Sequence, residues 1–148
     1  MFLYHGTDEL GKDLILKSQI IDNTKISEVT EFYNNILSTY LGTNIREKCI
    51  YLTGDKECAD LSYDFTFKVG TDILDENYLF VADFKLLEEI LCCEKKEDAQ
   101  YLAKKYKDSM VSFKDFKNKK FKFSTKFLWD MEFLYFNPIH ITENNLII

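Results

Sequence analysis

The chain has 148 residues and a mass of 17.5 kDa, the size of one ordinary domain, enough to bury a core without staples. An apolar fraction of 46% with 30% charged residues excludes wholesale disorder, and 5 Gly with 1 Pro exclude collagen-like and linker-like chains. The net charge of −6 makes the chain as a whole a poor general ligand for nucleic acid, because nonspecific affinity comes from cations displacing counterions at phosphates.

Residues 2–5 (FLYH) form a short apolar run ended by Gly6, which predicts a strand closing in a tight turn. Asp8 is placed to cap a helix over about 9–18, with Leu10, Leu14 and Ile15 inward. Ser27 is placed to cap a second helix, whose Val29, Phe32, Tyr33, Ile36, Leu37 and Tyr40 follow helical spacing up to a stop at Gly42. Residues 49–53 (CIYLT) read as a strand, followed from Thr53 or Asp55 to about Asp64 by a helix with Cys58, Ala59, Leu61 and Phe65 inward. Residues 78–86 (YLFVADFKL) give the clearest strand pattern, and 97–107 a helix. Residues 120–123, 132–136 and 139–142 complete the expected strands, the last two separated by Asn137-Pro138 because proline cannot donate to a ladder. This order is too irregular for a doubly wound parallel sheet, and a single α+β domain over 1–148 is the expectation.

No apolar run approaches the roughly 18 residues that cross a bilayer, and the N-terminus lacks the basic start and apolar stretch of a secretory signal. Cys49, Cys58, Cys92 and Cys93 form no C-x-x-C pair. With only His5 and His140 beside them no metal is expected, and the thiols read as reduced, which implies a cytoplasmic setting.

The charge is uneven. Residues 101–126 hold nine lysines against two aspartates, a net +7 that leaves −13 on the rest. From Lys114 onward the lysines interleave with Phe113, Phe116, Phe121, Phe123 and Phe127. Such alternation describes a solvated face with phenylalanines in the core, and equally a cationic surface that meets a phosphate-bearing partner.

Three short stretches carry candidate chemistry. Tyr4-His5-Gly6-Thr7 ends the first strand, where a histidine ring nitrogen can meet a sugar hydroxyl and glycine lets a ligand approach the backbone. Ile50-Tyr51-Leu52-Thr53 leads into a helix with Ala59, Ser62 and Tyr63, and the two tyrosines offer flat faces to a planar ring. Glu132 opens the otherwise apolar run Phe133-Leu134-Tyr135-Phe136, two residues after Asp130. A carboxylate leading such a strand is a candidate for charge stabilisation.

In this order the three stretches resemble the ADP-ribosyltransferase superfamily, in the His-Tyr-Glu class of the diphtheria toxin catalytic domain and the poly(ADP-ribose) polymerases. The resemblance rests on His5-Gly6-Thr7, on Ile50-Tyr51-Leu52-Thr53 with Ala59 and Tyr63, and on Glu132-Phe133-Leu134-Tyr135, and it spans nearly the whole chain. It departs at Cys49, where the family usually has glycine, and in the four-residue step from Ala59 to Tyr63, which leaves Ser62 or Tyr63 as the second site residue of that helix. Asp130-x-Glu132 is similar to the acidic pair of the cholera-toxin-like class, but the first strand carries His and not that class's Arg.

The resemblance implies split antiparallel sheets with flanking helices and NAD as co-substrate. His5 would bond the nicotinamide ribose and the Gly6 backbone the nicotinamide amide, while Thr7 helps orient the adenosine side. Tyr51 and Tyr63 would sandwich the ring. Glu132 would stabilise the oxocarbenium-like sugar, and Asp130 would orient the acceptor. The activity implied is transfer of ADP-ribose to a protein or nucleic acid, with Lys114, Lys117, Lys119, Lys120 and Lys122 as candidate acceptor contacts. NAD hydrolysis on the same site and a binding-only module are the alternatives. An RNA 2′-phosphotransferase would need several basic catalytic residues, and Arg46 is the single arginine. Small stand-alone relatives act as bacterial or phage toxins and modifiers, for which a neutralising partner is expected and no membrane.

Overall fold

The computed structural model describes residues 1–7, 19–21, 28–42, 45–46, 49–141 and 143–147. The helix expected over 9–18 and the cap at Ser27 lie outside them. Strand β1 is Phe2–Thr7 and β2 is Gln19–Ile21; helix α1 is Glu28–Leu41. Then come β3 (Ile50–Leu52), α2 (Lys56–Ser62), β4 (Phe65–Gly70), β5 (Leu79–Asp83), α3 (Phe84–Ile90) and α4 (Lys96–Ser109). The remaining elements are β6 (Val111–Ser112), α5 (Phe113–Lys117), a 3-10 turn at Leu128–Asp130, β7 (Met131–Tyr135), β8 (Ile139–Ile141) and β9 (Leu146–Ile147).

The fold is α+β, and its paired strands are antiparallel. One sheet has the order β1-β4-β9, a second pairs β2 with β8, and a third has the order β3-β7-β5-β6. The first and third meet at one point. Tyr4 and Thr53 exchange two backbone hydrogen bonds, of 2.8 and 2.9 Å, and join the outer edge of β1 to the end of β3.

Strand β7 explains the layering. It lies between β3 and β5 and is buried along its whole length. Successive side chains of a strand point to opposite faces. Met131, Phe133 and Tyr135 therefore enter a core shared with Leu3, Phe67 and Val69 of the first sheet, while Leu134 joins a second core under the helices. That second core receives Tyr33 and Leu37 of α1, Leu86, Leu87 and Ile90 of α3, and Ala99, Ala103 and Tyr106 of α4, each set at helical spacing.

Local chemistry sets several ends. Gly42 stops α1 with φ +71°, a left-handed conformation that glycine adopts without a Cβ clash. Asp55 caps α2 by accepting from the amides of Glu57 at 2.9 Å and Cys58 at 3.4 Å.

Several expectations are corrected. The first strand does not turn at Gly6 but continues to Thr7, because Gly6 pairs with Thr66 and Thr7 with Phe65. The run 78–86 is not one strand: it changes to helix at Phe84, and its apolar residues serve both cores, Leu79 and Val81 the first, Ala82 and Leu86 the second. Residues 120–123 form no ladder and are irregular. Phe65, expected on a helix, begins β4. Among the described residues no helix is long and apolar enough to cross a membrane.

Candidate functional site

The join between β1 and β3 places the site. His5, one residue beyond the bridged Tyr4, brings its Nδ1 to 2.9 Å from the carbonyl oxygen of Tyr51. A carbonyl can only accept, so Nδ1 carries the proton and Nε2 keeps a lone pair in the neutral ring. Burial lowers the pKa of His5, partly offset by that backbone bond, and the neutral form is favoured.

Tyr51 pairs with Leu134, and Leu52 with Phe133, between β3 and β7. The same register sets Thr53 beside Glu132, so Tyr51 and Glu132 are diagonal neighbours on one sheet face, the face toward the helices. Glu132 is buried there, with a side chain only 8% exposed. Its Oε2 accepts from Arg46 Nη2 at 2.9 Å, and its Oε1 accepts from the hydroxyl of Tyr106 on α4.

Arg46 links the cluster. Its Nη1 donates to Asn34 Oδ1 at 3.1 Å, and Asn34 Nδ2 donates to the Tyr51 hydroxyl at 3.2 Å. That hydroxyl donates to the Arg46 carbonyl at 2.9 Å, closing a ring of hydrogen bonds. The guanidinium lies over the Tyr51 ring, 4.5 Å from its centroid, a cation–π contact. Burial, the largest single influence, pulls the Arg46 pKa down, but Glu132 together with Tyr106, Tyr51 and Cys49 outweighs it and the net shift is upward. A buried cation is tolerated because it is paired and hydrogen-bonded.

The neighbouring hydroxyls and thiol are held neutral. Burial, then the adjacent Cys49, raises Tyr51; burial, then Glu132, raises Tyr106. Burial, reinforced by Glu132, pushes the Cys49 thiol up to about 12, and its Sγ donates to the Arg46 carbonyl at 2.9 Å. Cys49 is thus a buried, unreactive group beneath the site.

The other expected site residues divide. Tyr63 caps the C-terminus of α2 and its ring lies directly against Gly6: a Cβ built there would stand 2.0 Å from Tyr63 Cδ2. Gly6 and Tyr63 are therefore one surface, reached because glycine has no side chain. Ser62 is exposed at the end of α2 and joins none of these contacts. The backbone of Thr7 pairs with Phe65. Asp130 accepts from Thr125 Oγ1 at 3.0 Å and so ties the preceding loop to the start of β7. Lys114, Lys117, Lys119, Lys120 and Lys122 are exposed, and Lys117 forms an ion pair with Glu76. Phe113, Phe116, Phe121 and Phe123 pack on the first core, whereas Phe127 is exposed.

Sequence reasoning missed Arg46, Asn34 and Tyr106. Tyr106 alone had a signal, as the inward residue of a helix carrying Ala99 and Ala103 at its spacing. Among the described residues no cluster of three or more His, Cys, Asp or Glu is placed to hold a metal ion. No protein-family model matches the chain, and no curated protein or solved structure matches it.

Proposed function

We propose that the chain is an NAD-dependent ADP-ribosyltransferase of the His-Tyr-Glu class, acting on a macromolecular acceptor. One observation carries the reading: β1, β3 and β7 converge, so that His5 bonds the Tyr51 backbone and Tyr51 shares a sheet face with Glu132. The three residues come from distant parts of the chain in the order that the motif resemblance requires. The meeting of two antiparallel sheets at the Tyr4–Thr53 bridge is consistent with the split-sheet architecture the resemblance implies.

In this reading the bond between the ribose C1′ and the nicotinamide nitrogen breaks, and nicotinamide leaves with the electron pair. Positive charge builds on the sugar, and Glu132 stabilises it. A nucleophile of the acceptor then attacks C1′ and loses its proton; water in its place gives hydrolysis. Neutral His5 offers Nε2 as acceptor to a ribose hydroxyl. Tyr51, Gly6 and Tyr63 supply the flat surfaces for the nicotinamide ring. Arg46 is a planar cation stacked on Tyr51 and bonded to Glu132. The nicotinamide riboside of NAD is also a cation and calls on the same two partners, so its binding displaces the guanidinium from them.

That ion pair favours a second reading, a binding-only module in which Glu132 serves the fold. Nicotinamide release from NAD by the purified chain, with and without cell lysate, separates the two. The transferase reading expects release by the wild type and a loss of roughly 100-fold or more in Glu132→Gln, the scale for removing a charge-stabilising group from a preorganised site. Glutamine keeps one acceptor, for Arg46, and turns its amide N–H toward the Tyr106 hydroxyl, which can accept; circular dichroism verifies the fold. His5→Ala, outside the ion pair, should also slow release. An inactive wild type that still binds NAD supports the module.

A further inference from the structure

We propose that the surface between α5 and β7 binds a single strand of nucleic acid, the acceptor of the transferase; the acceptor role, though not the binding, rests on the function proposed above. The surface begins where the site ends. The 3-10 turn Leu128–Asp130 runs directly into β7, one residue before Glu132. Leu128 packs on the open Cα of Gly54, 3.3 Å from where a Cβ would stand, just past β3 and Tyr51. The two strands that carry Tyr51 and Glu132 thus both lead into it.

On either side of Leu128 the rings of Phe127 and Trp129 are stacked on each other, with centroids 4.3 Å apart and planes 10° from parallel. Both are exposed, Phe127 by 43% and Trp129 by 50%. The other phenylalanines of the stretch pack on the core, so this pair is set apart from them. An exposed stacked pair continues naturally with another planar ring. Lys126 Nζ lies 5.9 Å from the Phe127 ring centroid, and earlier in the same stretch Lys114, Lys119, Lys120 and Lys122 are exposed. Lys119, Lys120 and Lys122 line an open groove of about 480 Å³ with Phe121, Ser109 and Val111, and Asp108 is its one acid. Lys119 is held at φ 57° by the turn that follows α5.

Charge complementarity selects an anionic partner, and the rings select which one. An acidic peptide uses the lysines and leaves the aromatic faces idle. A duplex offers phosphates but keeps its bases stacked inside. A single strand offers both, with bases on the aromatic platform and phosphates on the lysines. The overall charge of −6 confines such binding to this surface and makes it sensitive to salt.

Trp129 is the only tryptophan in the chain, so its fluorescence reads the platform without any mutation. The intact chain, without NAD, is titrated with oligothymidylate, oligouridylate, a duplex and polyglutamate. One or both single strands should quench Trp129 and bind at least tenfold more tightly than the duplex or polyglutamate. Phe127→Ala and Trp129→Ala should each weaken the strand by roughly tenfold, the scale of one lost base–aromatic stack, as read by anisotropy of a labelled strand. The triple change Lys119→Glu, Lys120→Glu, Lys122→Glu should lower the salt slope by about 2, at roughly 0.7 per phosphate contact. Equal binding of duplex, equal binding of polyglutamate, or full affinity in Trp129→Ala overturns the proposal. Nicotinamide release measured without any strand tests the transferase reading separately, so the two can fail independently.

Discussion

Gly6 and Tyr63 meet because neither leaves room for more. A Cβ on Gly6 would fall 2.0 Å from Cδ2, 2.5 Å from Cγ and 2.9 Å from Cβ of Tyr63, all closer than van der Waals contact permits. Gly6→Ala must therefore push the ring away, and Tyr63, half-buried at the end of a short helix, has solvent to swing into. The cost to the fold should stay near the low end of the about 1–3 kcal/mol typical of overpacking. The cost to the ligand should be larger in proportion, because the ring leaves the surface it shares with β1. We expect a small fall in thermal midpoint and a several-fold weaker NAD complex by calorimetry. Unchanged NAD affinity would remove Tyr63 from the ligand surface and leave Tyr51 as the stacking residue.

The loop before β7 is held as an element without being a regular one. Asp83 ends β5 in the N-cap position of α3, yet its side chain does not cap that helix. It is fully buried and its Oδ2 accepts from the amide of Ser124 at 2.5 Å, across 41 residues. That contact, with Phe121 and Phe123 on the core, fixes the chain that leads to Phe127 and Trp129. Asp83→Ala should destabilise the protein by about 1–3 kcal/mol, the cost of stranding a partner of a charge-assisted bond. It should also speed hydrogen exchange over residues 121–127, whereas Asp83→Asn keeps an acceptor and most of the protection. Unaltered exchange in Asp83→Ala would mean that the phenylalanines alone hold the loop. The alternating lysines and phenylalanines of 120–123 predicted a strand, because period two is the strand's pattern. The pattern reported correctly which residues face inward, but a ladder also needs a neighbouring backbone, and here Asp83 takes that place. Ile50–Leu52 and Met131–Tyr135 were legible because their residues are apolar or aromatic apart from Glu132, whose charge, with the flat ring of Tyr51, marked the site. Arg46 was not legible: it belongs to no periodic segment, and its partner Glu132 lies 86 residues away.

His5 ties the protonation state of one ring to the joining of the two larger sheets. Its Nδ1–H bond to Tyr51 lies beside the Tyr4–Thr53 bridge, where β1 of the three-stranded sheet meets β3 of the four-stranded one. Burial lowers the folded-state pKa of His5 below the ordinary 6.5 that the unfolded chain retains. Between those two values the unfolded state binds more protons than the folded state, so stability rises with pH there. Read downward, the contribution is complete above about pH 6.5 and is lost as pH falls toward the folded pKa; below it, both states are protonated and the dependence ends. One proton sets the steepest slope at about 1.4 kcal/mol per pH unit. Denaturant unfolding at closely spaced pH values below 7 should show this decline in the wild type. His5→Asn keeps a donor for the Tyr51 carbonyl and cannot titrate, so its curve should be flatter over the same range. Nicotinamide release should fall lower, as pH drops through the folded pKa, because only then does the ring of the folded protein take up a proton and lose the lone pair on Nε2 that would accept from the ribose. Parallel stability curves for the wild type and His5→Asn would show that His5 does not couple the join to pH, and any acid sensitivity would then belong to carboxylates titrating at lower pH.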